Sequence, residues 1–258
     1  MSMQTSLMVA VVSAKGGVGK SLAATNLGAT AAAHLHLRTA LLDLDAGNGI
    51  DDLLLDLAPE KSWLDLLPVL QEITSEHLEL ARTVHTSGLH LFAAPSDYES
   101  ARGLDPPRFT AFLRVLRENY EFVVLDCPSG LGLTTRNAVS RCDVILCLLT
   151  PDAPCLRSTQ RMLAGLPESP ALELVLSQFE VGGVFSPSDI ERTLRRTMLG
   201  VLPIDARAVW ENVHYGQPCA LSRKRGLAGE YRRIARVVSD GLSPPRSATT
   251  GMAPGSGP

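Results

Sequence analysis

The sequence predicts a doubly wound α/β fold, a mostly parallel sheet with helices on both faces. Three observations carry that prediction. Short, nearly unbroken apolar runs at 7–12, 39–44, 122–125, 144–149 and 172–176 have the length and composition of strands covered on both sides. Segments of helical length separate them, and such alternation builds parallel units. Between the first run and the first helix lies Ala14-Lys15-Gly16-Gly17-Val18-Gly19-Lys20-Ser21, where glycines let the chain turn sharply from strand to helix.

Taken in order, the run 7–12 is the first strand and 20–33 is an Ala-rich helix. The second strand, 39–44, ends in the carboxylates Asp43 and Asp45. Segments 63–70 and 75–81 read as short helices, and 89–93 as a strand. In 105–118, Phe109, Phe112, Leu113 and Leu116 fall at the spacing of one helix face, with Pro106 and Pro107 in the first turn where a missing N–H costs nothing. The strand 122–125 closes with Asp126-Cys127-Pro128-Ser129-Gly130. Strands at 144–149 and 172–176 flank a helix at 153–163, Ser186-Pro187-Ser188-Asp189 opens another helix, and 201–204 completes the sheet. A final helix spans 227–238, and the Ser, Pro and Gly of 241–258 predict a disordered tail.

At 258 residues and 45% apolar, the chain suits one domain that buries about three quarters of its unfolded surface. No apolar run approaches the roughly 20 residues of a membrane span, and the start lacks the pattern of a secretory leader, so a cytoplasmic protein is expected. Five cysteines without a C-x-x-C pair argue against a disulfide framework or a zinc ribbon. His34 and His36, two apart on a predicted helix, point to different faces and make a poor metal pair. Charge is uneven: residues 41–79 hold ten acids and one base, residues 192–236 ten bases and three acids.

The glycine-rich run carries the most chemistry. Successive N–H groups of Gly16, Gly17, Val18 and Gly19 can converge on phosphate oxygens at a helix N-terminus, Lys20 can reach the terminal phosphates, and Ser21 can offer its hydroxyl to Mg²⁺. The usual pattern opens with Gly where this chain has Ala14, and a second lysine, Lys15, stands beside it. Only four lysines occur against twenty arginines, so two of them here argue for chemistry rather than a solvated charge run. Asp43, Asp45, Asp126 and Asp152 follow strands, at the sheet end where ligands of open parallel sheets collect. Asp126 is placed to hold Mg²⁺, directly or through water, and Gly130 to offer an N–H to a γ-phosphate.

The run with Lys15 and Lys20 resembles the deviant Walker A loop of the MinD/ParA P-loop ATPases, and the resemblance extends over residues 7–240. It implies Mg²⁺ and ATP as ligands and a homodimer formed with ATP, in which the lysine matching Lys15 reaches the nucleotide of the other subunit. It also implies slow hydrolysis stimulated by a protein partner. By the same resemblance Asp45 orients the attacking water, Asp43 supports Mg²⁺ with Ser21 and Asp126, and Leu22, Pro203 and Asp205 join the nucleotide pocket. The runs 43–59, 87–95, 150–152 and 202–205 look most like the CpaE/TadZ branch, close to FlhG, which implies positioning of a pilus secretion machine.

Two departures stand out. That branch usually carries a receiver-like domain first, expected here to be absent or on another chain, and Ser177-Gln178 replaces an Asn-Arg pair that contacts adenine. ParA relatives bind DNA through basic residues, for which Arg192, Arg195, Arg196, Arg223, Lys224, Arg225, Arg232 and Arg233 are candidates. MinD relatives end in a membrane-inserting helix, whereas the few large apolar residues of 227–238 favour packing back on the domain. A metabolic ligase or reductase of similar fold, and a scaffold that binds nucleotide without hydrolysis, are the other classes the residues allow.

Overall fold

The computed structural model describes residues 6–69, 72–96, 105–167, 170–223 and 225–241. Along the chain run β1 (Leu7–Ser13), α1 (Lys20–Leu35), β2 (Thr39–Asp43), α2 (Asp51–Leu54), a 3-10 segment (Trp63–Val69), α3 (Ser75–Ala81), β3 (Thr83–Val84), β4 (His90–Phe92) and α4 (Pro106–Asn119). They continue as β5 (Phe122–Asp126), α5 (Leu133–Val139), β6 (Val144–Leu149), α6 (Ala153–Leu163), β7 (Ala171–Phe179), α7 (Pro187–Leu194), β8 (Met198–Pro203), α8 (Ala206–Tyr215), a 3-10 turn (Cys219–Leu221) and α9 (Leu227–Asp240). The sheet order is β3-β4-β2-β5-β1-β6-β7-β8, with β3 antiparallel to β4 and the other pairings parallel.

Every residue of β1, β2 and β5 is buried, which is why these runs read as continuous rather than alternating. The chain builds outward from β1 in one direction and then, through β6, in the other, so the order reverses beside β1. A crevice opens at such a point over the carboxyl ends of the strands. Pairing of β2 with β5 sets Asp43 level with Asp126 at that edge.

Two packing details fix what lies there. Trp63 is buried and donates its indole N–H to the Asp43 carbonyl at 2.6 Å, so the 3-10 segment pins the end of β2. On the far side α9 lies against α1 and β8, burying Leu227, Ala228, Tyr231, Ile234, Ala235 and Val238. Gly200 permits this approach, since a Cβ there would lie 2.6 Å from Ile234 Cδ1. The apolar face of the last helix is thus occupied within the domain. All five cysteines are buried.

The structure amends several expectations. His36 is not helical but caps α1 in the left-handed region at φ 56°, so His34 and His36 do not share a helix at all. The segment expected as a helix over 63–70 is a tighter 3-10 run with Pro68 inside, which removes a helical donor. Elements α2, β3, α5 and α8 had no counterpart in the sequence reading. The tail expected over 241–258 lies outside the described residues beyond Gly241, as does Lys224.

Candidate functional site

The loop 14–19 leaves β1 and enters α1 through Gly19, whose φ of 85° and that of Gly17, 79°, lie where side chains are strained. A Cβ at either would meet nothing within 4 Å, so backbone conformation rather than space demands glycine. β7 orients the loop: Gln178 Nε2 donates to the Gly17 carbonyl at 2.8 Å and Ser177 Oγ to the Val18 carbonyl at 2.6 Å. In a trans peptide the N–H points opposite to the C=O, so anchoring these carbonyls turns the Val18 and Gly19 N–H groups the other way. No side chain caps α1, leaving its N-terminal dipole available to an anion.

A cavity of about 950 Å³ lies over this loop. Lys15, Gly16, Gly17, Val18, Gly19, Lys20, Ser21, Leu22, Asp45, Pro203 and Asp205, all expected at a nucleotide site, line it. Asn48, Ser129, Ser177, Gln178, Ile204, Val209, Val213 and Tyr231 line it as well. The far wall is α8, which sequence reading missed. Its signal was present in the caps, because Asp205 accepts from the Ala208 N–H at 2.9 Å and Gly216 ends the helix at φ 57°. Asp205 therefore faces the cavity with one oxygen already bonded.

Beneath the loop the charges gather. Lys20 is 7% exposed, and its Nζ lies 3.0 Å from Oδ1 of Asp126, itself 1% exposed. Burial pulls the Lys20 pKa down, but Asp126 outweighs it and the net shift is upward. Asp43 accepts from the N–H groups of Asp45 and Asp51, at 3.0 and 3.4 Å. Burial, then the Asp126 charge, pushes the Asp43 carboxyl up to about 7. Burial also raises Asp126, against the pull of Lys20. Gly49 closes the loop onto this acid: a Cβ there would sit 2.4 Å from Asp43 Oδ2. Asp43 and Asp126 thus lie under the cavity floor rather than in it.

Two predicted residues are engaged elsewhere in this state. The Gly130 N–H, expected to face a phosphate, donates to the Ser13 carbonyl at 2.8 Å, because a φ of 82° folds residues 128–130 back onto the end of β1. Lys15 Nζ stands 3.8 Å from Asp152 Oδ1 of its own chain, both side chains about two-fifths exposed. Asp152 caps α6 through the Cys155 N–H, at 2.8 Å.

A buried amide pair links the two walls. Asn26 on α1 donates to Asn212 Oδ1 on α8 at 2.9 Å, and Asn212 donates to the Leu54 carbonyl of α2, also at 2.9 Å. Asn26 Oδ1 accepts from the Ala220 N–H at 2.8 Å. Among the basic residues proposed for DNA, Arg192 pairs with Asp189, Arg233 with Glu230, and Arg232 donates to the carbonyls of Ala220 and Ser222. Arg195, Arg196, Arg223 and Arg225 are exposed. No helix among the described residues is long and apolar enough to cross a membrane.

Comparison with known proteins places this geometry. The family described as "AAA domain" matches residues 6–167. The septum site-determining protein MinD of Bacillus subtilis (strain 168) is 27% identical over 238 residues, covering 89% of this chain and 88% of that protein. Among solved structures, the ParA family ATPase from Chlorobium tepidum TLS superposes with a TM-score of 0.83 at 19% identity, over 89% of this chain and 98% of its own. MinD from Pyrococcus horikoshii OT3, complexed with Mg-ADP, superposes with a TM-score of 0.78 at 21% identity, over 90% and 96%.

Proposed function

Because the chain belongs to the AAA-domain family, among the MinD/ParA P-loop ATPases, we propose that it is an ATP-dependent dimerising switch that positions a bacterial machine. The observation that carries this is the placement of two lysines on one anion site: Lys20 buried beneath the loop, Lys15 half-exposed at its rim. One ammonium can serve the nucleotide of its own chain, and the other is free to leave. The Lys15–Asp152 pair does not prevent that, since an exposed ion pair is worth only about 0–1 kcal/mol. In phosphoryl transfer a cation delivered from outside the site contributes on the order of 10³ to 10⁵ in rate.

The residues fit a magnesium ion. Ser21 stands at the mouth of α1, and Asp126 Oδ2 is buried with no hydrogen-bond partner. Ser21 would hold the ion and Asp126, with Asp43, would anchor its surroundings; Mg²⁺ bound there supplies charge neutralisation to the phosphates. Lys20 then exchanges Asp126 for phosphate oxygens. Gly130 releases Ser13 to meet a terminal phosphate, and Asp45, on the cavity wall, orients the attacking water. Leu22, Pro203 and the α8 face shield the base. The closed dimer holds ATP better than the open monomer does, so loss of the γ-phosphate loosens the interface and a protein partner that favours closure of the site speeds turnover.

The machine we favour is a pilus secretion assembly, on the strength of the run 43–59. Positioning of the division site is the second reading, favoured by MinD similarity over most of both chains. DNA partition is the third reading: Arg232 is held by backbone carbonyls within the domain, whereas the exposed pairs of Arg192 and Arg233 leave those side chains able to reach a phosphate. A Lys15→Ala variant tests the switch: nucleotide affinity should stay within a few-fold of wild type while steady-state hydrolysis falls. Equal hydrolysis would refute the role of Lys15. Localisation of a tagged protein at pole, septum or nucleoid separates the machines.

A further inference from the structure

Among the described residues, His36, Asp56, Gln178 and Arg195 are the non-glycines with a positive φ. His36 and Arg195 cap helices and Asp56 follows the last residue of α2 by two, so a helix end accounts for each of these left-handed turns. Gln178, at φ 53°, stands inside β7, where no helix end accounts for it. Successive side chains of a strand point to opposite faces, yet Ser177 Oγ and Gln178 Nε2 donate to the adjacent carbonyls of Val18 and Gly17, at 2.6 and 2.8 Å. The left-handed residue sits at a register shift between Leu176 and Phe179, and it brings the second side chain round to the loop that the first already holds. We propose that Gln178 is a positioning residue of the nucleotide site, kept in a strained backbone conformation so that its amide sets the orientation of the phosphate-binding loop.

This rests on the nucleotide-binding part of the function proposed above and adds a residue to it. Gly17 and Gly19 give the loop its turn, but glycine visits both signs of φ and leaves the loop free to lose it. Tying two successive carbonyls fixes the peptide planes between Gly17 and Gly19. The N–H groups of Val18 and Gly19 are then aimed before phosphate arrives, and binding has less ordering of the loop to offset. Packing gives no reason for the strain, because Gln178 is exposed. Pairing on either side holds the turn in place: Leu176 pairs with Val201, Phe179 with Pro203, and the Phe179 carbonyl accepts from the Ile204 N–H at 3.0 Å. Glutamine suits the task, since a neutral amide can donate to the carbonyl without placing a carboxylate beside an anion site.

The experiment titrates the full chain with ADP, which needs no dimer, and sets the affinity beside the melting temperature without nucleotide. Gln178→Gly should bind ADP about fivefold more weakly than wild type, the equivalent of one ordinary hydrogen bond, and should melt no lower, because glycine relieves the left-handed strain. Gln178→Asn also tolerates a left-handed φ but holds its amide one methylene short, and its affinity should fall to a similar extent. Pyrophosphate carries no base, so its power to displace ADP should show the same loss in its own affinity for Gln178→Gly. In steady-state hydrolysis the loss should fall on KM for ATP rather than on kcat, since the loop holds substrate and transition state alike. Unchanged ADP affinity in either variant, a Gln178→Gly protein that loses affinity and stability together, or a loss with ADP that pyrophosphate does not share would each overturn the proposal. A chain that dimerises with ATP and shows no effect of Gln178 would sink this inference alone; one that shows the effect and never dimerises would sink the switch alone.

Discussion

The two ends of the cavity are built on opposite principles. At the phosphate end the groups are charged, buried and paired, as with Lys20 at 7% and Asp126 at 1% exposure. At the α8 end the wall is apolar and open, with Ile204 54% and Val213 48% exposed. Fixed charges in a dry environment act strongly and one at a time, whereas apolar area acts weakly and in sum. The difference predicts where substitutions hurt. Single changes at the phosphate end should abolish a step, and single changes on α8 should shift affinity or stability by modest amounts.

The largest expected effect is that of Lys20→Ala. Nucleotide binding should vanish in calorimetric titration, and loss of the ammonium also leaves a buried carboxylate unpaired, a change that costs about 3–5 kcal/mol in comparable buried pairs. Retained tight binding would break the contrast outright. Asp45→Ala comes next: the ATP-bound dimer should accumulate because attack on the γ-phosphate stalls, seen as persistence of dimer after ATP is added. Smaller is Asn212→Leu, which deprives Asn26 and the Leu54 carbonyl of partners and should lower stability by about 1–3 kcal/mol in chemical denaturation, with phosphate binding preserved.

The same contrast governs what the sequence made legible. Phosphate chemistry requires given residue types at given spacings, so the loop Lys15 to Ser21 and the strand-end acid Asp126 could be proposed from spacing, and the roles of Asp43, Asp45 and Leu22 only from the family resemblance. Continuous apolar runs likewise revealed β1, β2, β5 and β6 because burial on both faces removes polar interruptions. Helix α8 was also legible, since Ala206, Val209, Trp210 and Val213 fall at the spacing of one helix face between the Asp205 and Gly216 caps, and the sequence reading passed over it. Asp51 escaped for another reason. It lies one residue before Asp52 in an acidic stretch, and only the fold shows which of the two is buried among carboxylates and which reaches solvent. The hydrogen bonds of Ser177 and Gln178 to the loop depend on β7 lying beside β6, a long-range fact that local spacing does not encode.

The remaining prediction concerns pH. Burial, then Asp126, raises Asp43 from the usual 3.8 to about 7. Between those values the folded chain keeps a proton that the unfolded chain has released, so the contribution of this group to stability is full below the lower value and declines as pH rises toward the upper one. The nucleotide-free protein should therefore lose stability from about pH 4 to 7 relative to Asp43→Asn, and the gap should stop growing above that. Parallel melting curves for the two proteins across the range would show that Asp43 titrates normally.

Sedimentation of the wild-type chain with magnesium and a non-hydrolysable ATP analogue, at saturation of the site, tests the switch most directly. The account predicts a dimer that returns to monomer when ADP replaces the analogue, and a monomer throughout for Lys20→Ala. A wild-type chain that binds the analogue fully and still sediments as a monomer would contradict it.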